Sequence, residues 1–398
     1  MNKLTIDDLS KNGELKSKRV LVRVDFNVPM ENGKVSDDKR IVESLPTIKK
    51  IISDGGKCIL MSHLGRPKGE KNLKYSLKPA AEHLSKLLNK HIHFADDCIG
   101  ENTLNMVNNL KDGDVLLLEN LRFYKQEEAN DGNFSKQLAS YGDVYINDAF
   151  GSAHRAHAST EGVTHFIKKC AAGYLMQKEI EYLSKAVTNP EHPFVVILGG
   201  SKISGKIDVI NNLLGKADKI LIGGGMIFTF YKAMGCEIGK SIVEEDKLEL
   251  ANDLMKKAED KIMLPIDIVV ADKFENGSNF KTVYGNEMPS DMMGMDIGNE
   301  TIKNFSEEIM KAKTIVWNGP MGVFEMDNFA KGTFEIARQL ASATKHGAVT
   351  IVGGGDSAAA IAKAGLEKNI SHVSTGGGAS LEFLEGKTLP GVAALTDK

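Results

Sequence analysis

Residues 199–207 read Gly-Gly-Ser-Lys-Ile-Ser-Gly-Lys-Ile and stop one position short of a phosphate-cradling P-loop. From Gly200 the order fits G-x-x-x-x-G-K, yet Ile207 stands where that loop carries the Ser or Thr that meets a metal ion. The same half of the chain holds three Gly-Gly-Gly runs, at 223–225, 353–355 and 376–378, each after a strand-like stretch and before a helical pattern. Glycines in that setting present bare backbone N–H groups and a positive helix end to an anion, although a single glycine loop also makes a plain tight turn. Repetition of the strand-glycine-helix context favours a polyphosphate site. Asp356, directly after the second run, has two readings: a helix N-cap, or a hard oxygen ligand for Mg2+ beside nucleotide phosphates.

The first half carries a different chemistry. Six of the seven arginines, Arg19, Arg23, Arg40, Arg66, Arg122 and Arg155, precede residue 156, and only Arg338 follows. A guanidinium grips carboxylate or phosphate oxygens in pairs, which an ammonium does not. Several of these arginines lie in Ser62-His-Leu-Gly-Arg-Pro67, Glu119-Asn-Leu-Arg-Phe123 and Gly151-Ser-Ala-His-Arg-Ala-His157, just past strand-like runs, where open parallel sheets bind their ligands. A surface ion pair accounts for any one of them alone; their joint placement predicts a basic cleft for a small polyanion. Asp25 and Asn27, in Val24-Asp-Phe-Asn-Val-Pro29, share one side of an extended segment, where they either bind substrate hydroxyls or form a polar turn before Pro29. His63 and His154 are candidates for hydrogen bonds to an anion. The pairs His91/His93 and His154/His157 lack a third ligand at local spacing, which argues against zinc.

These groups need scaffolds to hold them. Apolar runs at 19–25, 58–62, 115–119 and 144–147, and again at 194–198, 219–223, 266–270, 314–317 and 348–352, alternate with longer helical patterns. That rhythm predicts an α/β fold with parallel sheets covered by helices. A length of 398 residues suggests two domains. Residues 173–188, apolar at helical spacing and closed by Thr-Asn-Pro-Glu-His-Pro193, read as a connector between lobes or as an ordinary helix within one. A 42% hydrophobic and 26% charged composition is that of a soluble globular protein, and a net charge of −3 gives no reason to expect nucleic acid as a partner. Cys58, Cys98, Cys170 and Cys236 have neither disulfide-framework nor zinc-knuckle spacing, and the N-terminus is too acidic for a signal peptide, so a cytoplasmic protein without membrane spans is expected.

Taken in order along the chain, the blocks Arg23-Val-Asp-Phe-Asn-Val-Pro29, Ser62-His-Leu-Gly-Arg-Pro67, Gly151-Ser-Ala-His-Arg-Ala-His157, Trp317-Asn-Gly-Pro-Met-Gly-Val-Phe-Glu325, Gly353-Gly-Gly-Asp-Ser357 and Ser374-Thr-Gly-Gly-Gly-Ala-Ser380 closely resemble the phosphoglycerate kinase family. The resemblance spans essentially the whole chain. It implies two lobes, each a mainly parallel Rossmann-like sheet covered by helices: residues 1–172 for 3-phosphoglycerate or 1,3-bisphosphoglycerate, with a tail at 386–398 packing back on them, a connecting helix at 173–188, and residues 189–385 for ADP or ATP with Mg2+. It further implies a monomeric, hinge-bending glycolytic kinase that acts by in-line transfer after lobe closure. Matching motif positions place Asp25, Phe26, Asn27, Arg40, His63, Leu64, Gly65, Arg66, Arg122 and Arg155 at the substrate. On the nucleotide side they place Lys206, Gly224, Gly225, Gly294, Asn318, Pro320, Glu325, Gly354, Gly355, Asp356 and Ser357, with Asp356 toward the metal. Arg40, Lys202 and the amides of Gly376, Gly377 and Gly378 match the groups that meet the phosphoryl in transfer.

This reaction suits what the sequence lacks. The acceptor carboxylate is already ionised near neutral pH, so no general base is required, and catalysis rests on positioning and charge neutralisation. A P-loop NTPase would want a hydroxyl after Lys206, and a dinucleotide-dependent dehydrogenase would want G-x-G-x-x-G after the first strand; neither is present. A non-catalytic metabolite-binding scaffold of the same fold stays open. Many relatives carry an acid where this chain has Gly205, a position expected to be peripheral.

Overall fold

The computed structural model describes residues 2–398. By its internal contacts the chain forms two compact units: one runs as far as Glu181 and takes back Thr388–Lys398, and the other is Tyr182–Lys387. The helix expected at 173–188 is Tyr174–Thr188, and the division falls inside it rather than at its ends. Gly386 and Lys387 cluster with the second unit, so the returning tail is shorter than expected.

The first unit is built on strands β1 (Arg19–Arg23), β2 (Lys57–Met61), β3 (His93–Phe94), β4 (Val115–Leu117), β5 (Val144–Asn147) and β6 (Cys170–Ala172), in the spatial order β3-β4-β2-β1-β5-β6. All of its pairings are parallel. Buried side chains on both sides of β1, such as Val20, Leu21 and Val22, explain why the strand reads as an unbroken apolar run. The helix Lys39–Ser53 packs Ile41, Ile48 and Ile51 into this core and presents Arg40 in its first turn. The tail is tied to the same unit by backbone bonds from Leu4 N–H to the Thr396 carbonyl at 2.7 Å and from Gly391 N–H to the Ala153 carbonyl at 2.8 Å. Asn147 adds a side-chain bond to the Gly391 carbonyl at 3.1 Å, so the tail braces the loop that carries Arg155.

The second unit repeats the architecture with β7 (Phe194–Leu198), β8 (Lys219–Ile222), β9 (Ile262–Met263), β13 (Thr314–Asn318), β14 (Val349–Gly353) and β15 (His372–Val373), ordered β9-β8-β7-β13-β14-β15 and parallel throughout. The run at 266–270 departs from the expectation. It is β10 (Asp267–Ala271), the middle strand of a separate antiparallel sheet with β11 (Phe280–Tyr284) and β12 (Met293–Ile297). The link at 272–279 is too short for the dozen or more residues that a parallel crossover needs, so a hairpin forms instead. Strands β3, β6, β9 and β15 have two or three residues each, too few to register as apolar runs. Each glycine run does join a strand to a helix: the segments end in Ile227–Ala233, Gly355–Lys363 and Gly377–Leu384. Among the described residues, no helix is long and apolar enough to cross a membrane.

Candidate active site

Loops leaving the carboxyl ends of β1, β2, β4 and β5, together with Arg40, line a polar cavity of about 220 Å3. Asp25, Asn27, Arg40, His63, Gly65, Arg66, Arg122 and Arg155 all reach it, as do Gly151, Ser152 and His154. Asn27 forms the polar turn: its N–H donates to Asp25 Oδ1 at 3.3 Å, while its Oδ1 accepts the Gly65 N–H at 2.8 Å and sets the cavity wall. Arg40 Nη1 donates to the Asn27 carbonyl at 2.8 Å and lies 3.5 Å from Asp25 Oδ2. Arg122 is buried and donates to the Gly65 carbonyl at 3.0 Å, whereas Arg66 and Arg155 are exposed. The cavity thus combines anchored and exposed guanidinium groups.

Beneath it lies Arg23, which is 1% exposed and holds Ser159 Oγ at 2.8 Å and His63 Nδ1 at 3.0 Å. Burial, followed by the charges of Arg23, Arg122, Arg40 and His157, holds His63 well below the ordinary histidine range. His63 is therefore a neutral hydrogen-bonding group. Two predicted residues face away from the ligand space. Phe26 and Leu64 point into the core: the Phe26 N–H donates to Ser62 Oγ at 2.8 Å, and Leu64 is clamped through its N–H and carbonyl by the Asn120 side chain at 3.2 and 2.7 Å. They shape the loops because alternation along an extended segment sends their side chains opposite to those of Asp25, Asn27 and His63. Ser152 belongs to a block already visible in the sequence but carries no charge to mark it.

A larger cavity of about 370 Å3 opens in the second unit. Gly200 and Ser201 follow β7, Gly224 and Gly225 follow β8, Pro320 to Glu325 follow β13, and Asp356 follows β14; Gly294 and Asp296 come from the antiparallel sheet. The floor is a lattice of loop backbone, with Gly199 N–H on the Asn318 carbonyl at 3.0 Å, Gly200 N–H on the Pro320 carbonyl at 3.1 Å and Gly224 N–H on the Met321 carbonyl at 2.9 Å. Gly224 has φ +69°, and a Cβ there would lie 2.5 Å from Gly200 N, so neither the conformation nor the approach admits a side chain. Phe228, Ile242, Ile268 and Met295 make an apolar wall suited to a flat ring, which sequence reasoning missed because the hairpin supplying part of it was read as an ordinary strand. Asp296 was also unforeseen. Burial pushes its carboxyl up to about 7, and it accepts the Gly332 N–H at 2.6 Å while occupying the space that a Cβ on Gly322 or Gly332 would need.

The remaining predicted residues stand beside this cavity rather than in its lining. Lys206 precedes the helix Ile207–Leu214, which buries Val209, Ile210 and Leu213, and its ammonium donates to Asn318 Oδ1. Burial lowers Lys206 to about 8, opposed by the nearby charges of Glu385 and Asp356. Asn318 Nδ2 is buried without a hydrogen-bond partner, about 3.2–3.4 Å from where side chains on Gly353 and Gly354 would begin. An unsatisfied amide N–H2 next to an ammonium and bare glycine backbone fits an anionic oxygen. Gly355 and Gly377 bring two glycine runs together, a Cβ on Gly377 falling 3.0 Å from Gly355 N. Ser357 is buried and structural, its Oγ accepting the Gly319 N–H at 2.6 Å. Lys202 is exposed after β7 and lines neither cavity, and Gly376 and Gly378 likewise lie outside both linings. Gly205 is exposed, with open space where a side chain would stand.

Among the described residues, no group of three or more His, Cys, Asp or Glu side chains gathers as a metal site. Asp356, an exposed carboxylate in the first turn of Gly355–Lys363, fits a hard cation whose other ligands are phosphate oxygens and water.

The family profile described as phosphoglycerate kinase matches residues 6–387. A relative named phosphoglycerate kinase from Chloroherpeton thalassium is 60% identical over 400 residues, covering 100% of both chains. Among solved structures, phosphoglycerate kinase from Coxiella burnetii superposes with a TM-score of 0.89 at 41% identity, and that from Pyrococcus horikoshii with 0.84 at 33% identity, each comparison covering 98% of both chains. Whole-length agreement of both sequence and fold, over a chain with one arginine-lined and one glycine-floored cavity, places it plainly: the chain belongs to the phosphoglycerate kinase family.

Proposed function

We propose that the two cavities divide the work of the family's reaction, the reversible transfer of a phosphoryl group between 1,3-bisphosphoglycerate and ADP that yields 3-phosphoglycerate and ATP. The arginine-lined cavity takes the triose acid and the glycine-floored one takes the nucleotide. The observation that carries this reading is the contrast in donors: planar guanidinium groups for a compact phosphate and carboxylate, against backbone amides, Lys206 and the unpartnered Asn318 amide beside an apolar slot for a base.

Asp356 would hold Mg2+ together with the nucleotide phosphates, where the ion would neutralise charge on the phosphate oxygens. Asp25 and Asn27 orient the acid's hydroxyl, while Arg122, with Arg66 and Arg155 folding in from the rim, grips its phosphate. Arg40, anchored by the Asn27 carbonyl, lies where charge develops on the transferring group. Lys202 and the amides of Gly376, Gly377 and Gly378 complete that set. The acid's carboxylate attacks without first losing a proton, so none of these residues needs to act as a base.

Steady-state kinetics separate the roles. Lys202→Ala lowers kcat by about a hundredfold or more while leaving ground-state nucleotide affinity nearly intact, as expected of a contact made only in the transition state. Preserved kcat with weakened nucleotide binding would remove Lys202 from that role. Arg155→Ala mainly raises KM for 3-phosphoglycerate, and unchanged affinity for the acid would exclude it from the site.

Lys206 makes a pH-dependent prediction. Its folded pKa of about 8 lies below the ordinary lysine value, so the ammonium predominates at pH 7 and is lost as pH rises through 8. Phosphates favour the charged form, so nucleotide binding at pH 8 takes up about half a proton, falling toward zero below pH 7. Calorimetry in buffers of different ionisation enthalpy reads this uptake directly. Lys206→Met should abolish it, and uptake that survives the substitution would place the titrating group elsewhere.

A further inference from the structure

Behind the acid cavity, and outside its lining, Arg23, Ser159 and Glu127 form a buried polar chain that ends at His63. Arg23 has only donors, so each atom within its reach must accept. Its Nε–H points to Ser159 Oγ at 2.8 Å and one Nη2–H to His63 Nδ1 at 3.0 Å, with Ser152 Oγ farther off at 3.5 Å. Having accepted from Arg23, Ser159 Oγ donates its own proton onward to Glu127 Oε1 at 2.5 Å, and the Ser159 backbone N–H donates to Glu127 Oε2 at 3.0 Å. Glu127 is fully buried; burial raises its carboxyl above the ordinary glutamate range, and the Arg23 charge and the two donors from Ser159 act against that rise. With Glu127 ionised, every hydrogen-bond direction in the chain is set, from the carboxylate to the imidazole.

We infer that Glu127, acting through Ser159 and Arg23, is a positioning residue that holds His63 as the Nε2–H tautomer, so that the imidazole offers the triose acid a donor and never an acceptor. With Nδ1 committed to Arg23, Nε2 must carry the proton of a neutral ring. The alternative tautomer would set N–H against N–H, and an imidazolium would add a cation beside Arg23, Arg122, Arg40 and His157, all of which act on this ring. An acceptor nitrogen in the cavity would repel the phosphate and carboxylate oxygens that the arginines gather. Glu127 suits this task because its two oxygens take two donors from one serine. A glutamine offers one oxygen and one N–H2 group, which would confront either the hydroxyl proton or the backbone N–H of Ser159. This inference rests on the arginine-lined cavity being the acid's site.

Nitrogen-15 correlation spectra of the imidazole rings, recorded on the intact protein at pH 7, test it. Wild-type His63 shows a protonated Nε2 and an unprotonated Nδ1, and saturating 3-phosphoglycerate shifts the Nε2 resonance. Glu127→Gln and Ser159→Ala give mixed tautomers and raise KM for the acid about tenfold with KM for ATP unchanged, whereas Glu127→Asp recovers part of the loss. Ser159→Ala retains the Glu127 charge and serves if the glutamine variant does not fold. A wild-type His63 protonated on Nδ1, or variants that leave both tautomer and KM unaltered, would overturn the relay itself. The stated tautomer without any response to 3-phosphoglycerate would instead overturn the assignment of the cavity, and the relay's function with it.

Discussion

A carboxylate and a polyphosphate repel each other, and both are strongly hydrated; bringing them together is the constraint to which this structure answers. The attacking oxygen is already ionised, so the protein has no proton to remove. What it must supply is positive charge and N–H groups, fixed before the ligands arrive, in places from which water can be displaced. The chain meets that need with two different donor chemistries on two copies of one architectural idea.

Both cavities lie past the carboxyl ends of a parallel sheet, where loops converge and helix N-termini point. In the first unit the charge is layered: Arg23 is locked below by Ser159 and His63, Arg122 and Arg40 are anchored on loop carbonyls, and Arg66 and Arg155 remain exposed. In the second unit the charge is mostly partial, spread over glycine amides, with Lys206 as a half-buried ammonium that burial lowers to about 8. Guanidinium groups match a small rigid acid, whereas a glycine floor follows a longer phosphate chain without filling the slot beside it.

Much of this was legible in the sequence because the groups concerned have few alternatives. Glycine runs between strands and helices mark close backbone approach, and arginines crowded past strand ends mark an anion, so both cavities could be placed by residue number. Under the proposed function the likeness to a P-loop also resolves: Lys206 would keep the phosphate-facing role, and Asp356 would be the hard ligand that Ile207 cannot be. What stayed hidden depends on contacts distant in sequence. Phe26 and Leu64 sit in functional blocks yet support them from behind. Asp296 becomes a wall of the glycine-floored cavity only when Gly322 and Gly332 close on its carboxyl, and the antiparallel sheet that supplies Gly294 has no apolar signature distinct from a parallel strand.

The central claim is that this chain transfers a phosphoryl group by organising charge, with no side chain moving a proton. Single-turnover rapid-quench kinetics with 3-phosphoglycerate and ATP, in water and in mixtures with deuterium oxide, address it directly. The account predicts a transfer rate that is nearly independent of deuterium content. A normal isotope effect on the transfer step, growing linearly with deuterium fraction, would reveal a proton in flight and contradict it.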